Sequence, residues 1–211
     1  MLPGRGVSLR IRQRGLGVFA LLVVFALSIL GGPSLVLAQA QRAVPEGHVT
    51  SGTLSFDGHA TAGDFVGKTA TVSGQLTGAS DVTGVRGWVE APVATLKTGN
   101  GKRDKDLNKS MESDKFPVLR FELARVSRTG GTADSLGVIL HGALIIHGVT
   151  REVDVPGTVQ FTGSTARVRT DFPLNLKDYR IGGLSKMLGM LKMYEDIKVH
   201  SDLVFRLAAA T

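Results

Sequence analysis

The 211-residue chain has no cysteine, which excludes a disulfide framework, a lipobox and a thiol nucleophile together. The tripled pattern Gly-x-Ser-x-Gly is also missing, so a serine hydrolase of the nucleophile-elbow kind has no foothold in the sequence. A strong basic excess is absent too once the first 40 residues are set aside. Those residues hold four arginines and no acid, and without them the formal charge falls from +7 to +3. That ordinary value gives a nucleic-acid partner no support. The charged run Lys102–Lys109 therefore reads as a solvated loop, and the single tryptophan, Trp88, as core rather than a stacking platform.

What is present begins with the three parts of a secretory signal. Arg5, Arg10, Arg12 and Arg14 form a basic start, Leu16–Leu30 is apolar apart from Gly17 and Ser28, and Gly31-Gly32-Pro33 breaks the run. Ala38-Gln39-Ala40 then supplies the small residues a signal peptidase needs. Cleavage is expected after Ala40, leaving a periplasmic or otherwise extracytoplasmic chain, with 41–47 as a short tether and 48–211 as one domain. An uncleaved anchor is the weaker alternative, because the apolar run falls short of the roughly 20 residues that span a bilayer.

Period-two alternation dominates the remainder, placing successive side chains on opposite faces of a sheet. In Thr69–Thr77, Ala70, Val72, Gly74 and Leu76 oppose Thr69, Thr71, Ser73, Gln75 and Thr77. Val149–Gln160, Ala166–Lys177 and Ile197–Leu207 repeat the pattern, and Val49–Phe56, Thr83–Val93, Val118–Val126 and Leu136–His147 bring the expected strands to eight. Connections mostly too short for helical crossovers imply antiparallel neighbours, and eight such strands with one apolar face close most naturally into a barrel. A two-sheet sandwich is the runner-up.

Two connections are longer. Lys97–Pro117 is densely charged, with a short helix expected around Asp104–Met111. Asp178–Asp196 carries Leu184, Met187, Leu188 and Leu191 at the spacing of one helical stripe, beside Met190 and Met193, and is expected to form a lid. The expected lining of the interior is Val72, Leu76, Leu119, Phe121, Leu123, Leu144, Phe172 and Leu174. Ala70, Gly74, Gly142, Thr170 and Ser201 are small residues at inward positions, which leaves two readings open: an underfilled apolar cavity, or a barrel filled by neighbouring bulky side chains. If a cavity exists, a long tail suits it, since each five-carbon unit contributes about 3 to 4 kcal/mol gross against an association cost of about 4 to 15.

Other signals carry less. Ala62–Thr69 fits a loosened phosphate loop, yet a strand rather than a helix follows it. His141 and His147 lie about 20 Å apart along one strand, too far to share an ion, so they and His48, His59 and His200 read as hydrogen-bonded structural residues, with His147 the first choice for any function. No cofactor or metal is implied.

Leu96–Asp104, Phe116-Pro117-Val118-Leu119-Arg120-Phe121, Gly142–Arg151, Asp171–Leu176 and Asp178-Tyr179-Arg180-Ile181 together resemble the YceI-like family of lipid- and polyisoprenoid-binding proteins. The resemblance implies an all-β, eight-stranded antiparallel barrel of lipocalin type with one or two short helices in its long connections. It implies an isoprenoid lipid, a quinone or a similar long-chain amphiphile inside, the membrane being only a transient source or sink, and no catalysis. Asn100, Arg103 and Asp104 carry over as a polar cluster at one mouth. The opening strand, ending Ser55-Phe56-Asp57-Gly58-His59, reads as shorter and less aromatic than the family pattern. A non-catalytic stress-response or protein-interaction module with a filled barrel is the alternative, and a lipid-modifying enzyme the third option. Oligomeric state stays open, a homodimer included.

Overall fold

The computed structural model describes residues 43–182, 185–186 and 191–209. β1 (Gly47–Gly58), β2 (Phe65–Thr69), β3 (Ser73–Thr77) and β4 (Arg86–Pro92) lead to the helix α1 (Gly101–Ser110). After it come β5 (Val118–Gly131), β6 (Ser135–Ile146), β7 (Val149–Thr162) and β8 (Thr165–Asn175), then the two-residue β9 (Ser185–Lys186) and β10 (Leu191–Lys192), and finally β11 (Asp196–Leu207). From β3 to β8 each strand pairs antiparallel with the next; β8 pairs with β11, β11 with β1, and β1 with β3. Eight strands thus close into a ring, and the sandwich is set aside. β2 extends from the second half of β1.

Side-chain parity explains the closure. Along β7, Val155, Val159 and Phe161 are buried while Glu152, Asp154 and Gln160 are exposed, so one face is committed to the interior. The β6–β7 turn is His147-Gly148, both with positive φ, at 52° and 71°. A two-residue turn with two left-handed residues matches the twist of its flanking strands. Gly148 is required there twice over, since a Cβ would also meet the Phe116 ring at 2.5 Å.

Four expectations need correction. The expected strand Thr69–Thr77 is broken at 70–72, and its parity slips by one: Thr69 is buried and Ala70 exposed, while Gly74 remains buried beyond the break. The cause is local. The Thr71 N–H donates to Thr69 Oγ1 at 3.0 Å, and Thr69 Oγ1 lies 2.7 Å from Thr95 Oγ1, whose proton goes to the Pro92 carbonyl. That side-chain-to-backbone turn competes with the ladder and bends the strand off it. Second, the expected helical stripe in the last long connection is not what its described residues form: Ser185–Lys186 and Leu191–Lys192 pair antiparallel, so Leu191 is in a strand. Leu184, Met187, Leu188 and Met190 lie outside the described residues. Third, β1 runs for 12 residues, Gly47–Gly58, against the expected Val49–Phe56. Fourth, Trp88 is only partly buried and carries the Arg120 guanidinium 4.6 Å from its ring centroid.

Two buried clusters occupy the barrel's ends. One joins Val44, Val82, Val85, Val126, Leu136, Val138, Val159, Phe161, Ala166, Leu203, Phe205 and Leu207. The other joins Phe56, Val93, Leu96, Leu107, Met111, Ile146, Tyr179, Ile181 and Ile197.

Candidate functional site

Between the clusters lies a cavity of about 220 Å³ with an almost wholly apolar lining. Of the residues expected there, Leu76 from β3, Leu119, Phe121 and Leu123 from β5, Leu144 from β6, and Phe172 and Leu174 from β8 line it. Each of the seven is only partly buried although it points inward, which is the signature of side chains facing empty space rather than one another. Val72 does not line it; the break between β2 and β3 leaves it packed against the first cluster. Thr170 and Ser201, two of the small inward residues, meet across β8 and β11 with their hydroxyls 2.8 Å apart, so two polar groups satisfy each other within an apolar wall.

Helix α1 covers one end. Asn100 caps it, accepting from the Lys102 and Arg103 N–H groups at 3.1 Å each, while Asp104 in the first turn and Lys109 in the last complement the helix dipole. Asp104 Oδ1 also accepts from the Thr98 N–H at 2.8 Å and the Thr98 hydroxyl at 2.6 Å, bonds that hold its carboxyl below the usual range. Two of the three polar residues expected at the mouth are therefore occupied in building the loop-to-helix junction. Leu107 and Met111, four apart on one helix face, are buried and reach the cavity. The charged run around them had concealed that face.

Arg103, the third polar residue, has its guanidinium carbon 4.2 Å from the Phe65 ring centroid. Both residues line a smaller cavity of about 40 Å³ with Ile181 and Tyr194. Leu107, Met111, Leu176 and Met193 border both cavities. Four flexible side chains are thus shared by the lumen and the smaller cavity.

His147 ties this cap to the barrel. Its Nδ1 is 3.1 Å from the Tyr179 carbonyl oxygen and its Nε2 3.0 Å from Glu112 Oε2, with the Phe116 ring edge-on at 4.7 Å between centroids. Bonds to Lys115 and, more weakly, His147 hold the Glu112 carboxyl below its ordinary range, whereas burial raises the Tyr179 phenol. Three of the four remaining histidines reach carboxylates: His59 meets Asp64 at 2.8 Å, His141 meets Asp154, and His200 lies between Asp57 and Asp171. No group of three metal-ligating side chains converges among the described residues. The loosened phosphate-loop segment falls on β2, with no helix after it.

A closed eight-stranded barrel with an apolar lumen and a helix across one end defines a protein of the lipocalin-like class. Residues 48–205 match the YceI-like domain, and the chain belongs to that family. Two solved structures share its fold. BcnA of Burkholderia cenocepacia aligns with a TM-score of 0.59 at 17% identity, covering 72% of this chain and 95% of that one. A polyisoprenoid binding domain from Saccharophagus degradans, implicated in plant cell wall breakdown, aligns with a TM-score of 0.62 at 15% identity, covering 78% and 99%. No curated protein sequence matches the chain.

Proposed function

We propose that this chain is exported from the cytoplasm by its N-terminal 40 residues and carries the tail of a long isoprenoid lipid or quinone in its barrel, without transforming it. The observation that bears most on this reading is the unfilled apolar lumen. A dry apolar cavity of about 150 Å³ accepts a benzene-sized guest, and the lumen here, at about 220 Å³, exceeds that. It remains small for a polyprenyl chain, so a long tail must pass the Leu107, Met111, Leu176 and Met193 wall and use the smaller cavity as well. The name of the Saccharophagus domain supports the isoprenoid class. A filled-barrel interaction module leaves the lumen without a purpose.

Native mass spectrometry of protein purified from its own host, followed by lipid extraction, tests the proposal. A co-purifying apolar molecule, or uptake of an added isoprenoid quinone that is lost in Thr170→Leu/Ser201→Leu, is the expected result. A bare mass with no uptake in the native chain overturns it.

A further inference from the structure

The outer face of β5, β6 and β7 holds an arrangement that lumen binding does not use. Ser127 Oγ lies 2.8 Å from His141 Nε2, and His141 Nδ1 lies 2.5 Å from Asp154 Oδ1. Arg125 Nη1 donates to the same Ser127 Oγ at 3.3 Å. The proton positions follow from what each group can do. A carboxylate only accepts, so Nδ1 carries hydrogen; when the ring is neutral, Nε2 accepts and the Ser127 hydroxyl is the donor. Arg125, Ser127, His141 and Asp154 form one chain of bonds running in a single direction, the polarity that a base-activated hydroxyl needs.

A β-bulge creates this cluster. Leu123 pairs with Gly142 and Arg125 with His141, so Ala124 is an extra residue on β5. Strict alternation from Leu123, which lines the lumen, would turn Arg125 and Ser127 inward. The bulge reverses the parity: Val126 is buried in the first cluster, and Arg125 and Ser127 stand outside, beside His141. The imidazole is well supported, with its side chain 15% exposed, while Ser127 stays accessible. On the neighbouring rung, Ser127 pairs with Ile139 and Ile139 with Pro156, which sets an apolar strip next to the hydroxyl. The missing Gly-x-Ser-x-Gly pattern describes a serine at a strand-to-helix turn and has no bearing on a serine placed within a strand.

We propose that Ser127, His141 and Asp154 form a second, catalytic site on the barrel's outer wall that hydrolyses carboxylic esters of small acyl groups. Ser127 Oγ bonds to the acyl carbon as its proton passes to His141 Nε2. The Arg125 guanidinium donates to the carbonyl oxygen and stabilises the charge developing there. The carbon–oxygen bond to the alcohol then breaks, and the alcohol leaves with the proton from His141. Water, deprotonated by the same nitrogen, attacks the acyl-serine, releases the acid and restores Ser127. The alkyl part of the acyl group rests on Ile139 and Pro156.

The full purified chain is treated with an alkyl fluorophosphonate, and separately with p-nitrophenyl acetate. The expected results are a phosphonyl adduct on Ser127 located by peptide mass spectrometry, and ester hydrolysis above the buffer rate. Ser127→Ala abolishes both. His141→Gln lowers hydrolysis by about 100-fold, the lower range for a general base. Arg125→Gln slows hydrolysis but keeps the adduct. Absence of an adduct at Ser127, or equal hydrolysis by the native chain and Ser127→Ala, overturns the proposal. A merely structural hydrogen-bond chain would show itself as a lowered melting temperature in Ser127→Ala with ester hydrolysis unchanged, which also overturns it. Circular dichroism of Ser127→Ala, the smallest of these changes, establishes that loss of activity is not loss of fold.

Discussion

The two ends of the barrel are closed by different means. At one end the strands supply their own stopper: Phe161 from β7, Phe205 and Leu207 from β11 and Leu136 and Val138 from β6 pack together with Val44, which pairs as an isolated bridge with Ala79. Most side chains there are anchored on barrel strands, with Val82 and Val85 added from the turn before β4. At the other end the closure comes from outside the ring, from α1 and the Leu176–Tyr179 turn, and much of what secures it is side-chain hydrogen bonding through His147, Asp104 and Thr98. A cap held by a few such bonds opens at low cost, whereas the stopper opens only when strands separate. Stability and access are thereby assigned to opposite ends.

Truncations at each end break that contrast most directly. Phe161→Ala at the stopper should cost about 3 to 5 kcal/mol, and Leu107→Ala in the cap about 2, the low end for a leucine because its side chain already borders empty space. Chemical denaturation measures both. Uptake of an isoprenoid quinone should become faster in Leu107→Ala and stay unchanged in the folded fraction of Phe161→Ala; the opposite order would mean that the ends have been assigned the wrong way round.

A smaller effect is expected from His147→Gln. Losing one of the two bonds to the Tyr179 carbonyl and Glu112 should remove about 1 kcal/mol and accelerate ligand exchange, read by stopped-flow fluorescence of a bound quinone analogue. An exchange rate equal to that of the native chain would show that the cap does not depend on this residue.

Smallest is a pH effect at the β1–β11 seam. Hydrogen bonds to Asp171 and Asp57 raise the His200 imidazole above its ordinary 6.5. The protonated ring is therefore favoured by folding, and its contribution is complete below 6.5 and lost as pH rises through the elevated value. The ring is partly exposed, so solvent screening keeps the effect modest. Melting temperatures of the native chain should decline relative to His200→Gln as pH climbs past 6.5, and parallel curves would remove the seam from the account.

The barrel was legible in the sequence because its strands obey a simple alternation. Val155 and Val159, or Leu203 and Phe205, sit where the pattern places them. What escaped was each departure from alternation. The break after Thr69 depends on its hydroxyl meeting Thr71 and Thr95, a contact no periodicity reveals. The bulge at Ala124 inserts one residue into a run that reads as regular, so Arg125 and Ser127 could not be placed beside His141. Of the expected lining, Leu119, Phe121 and Leu144 reach the cavity, but Leu107 and Met111 were hidden in a helix dominated by charge. Leucines at helical spacing misled in the other direction, since β9 and β10 occupy part of that segment.

Because β1 is hydrogen-bonded to β11, the ring is sealed by residues from opposite extremes of the domain: Thr50 bonds to the Val204 carbonyl across 154 positions. Such a distant pairing must wait for a large loop closure, which makes it a late and slow event in folding. A chain lacking the 12 residues of β11 thus has walls but no container. Without β11, which bridges β8 and β1, the sheet stays open with two unpaired edges instead of forming a smaller vessel.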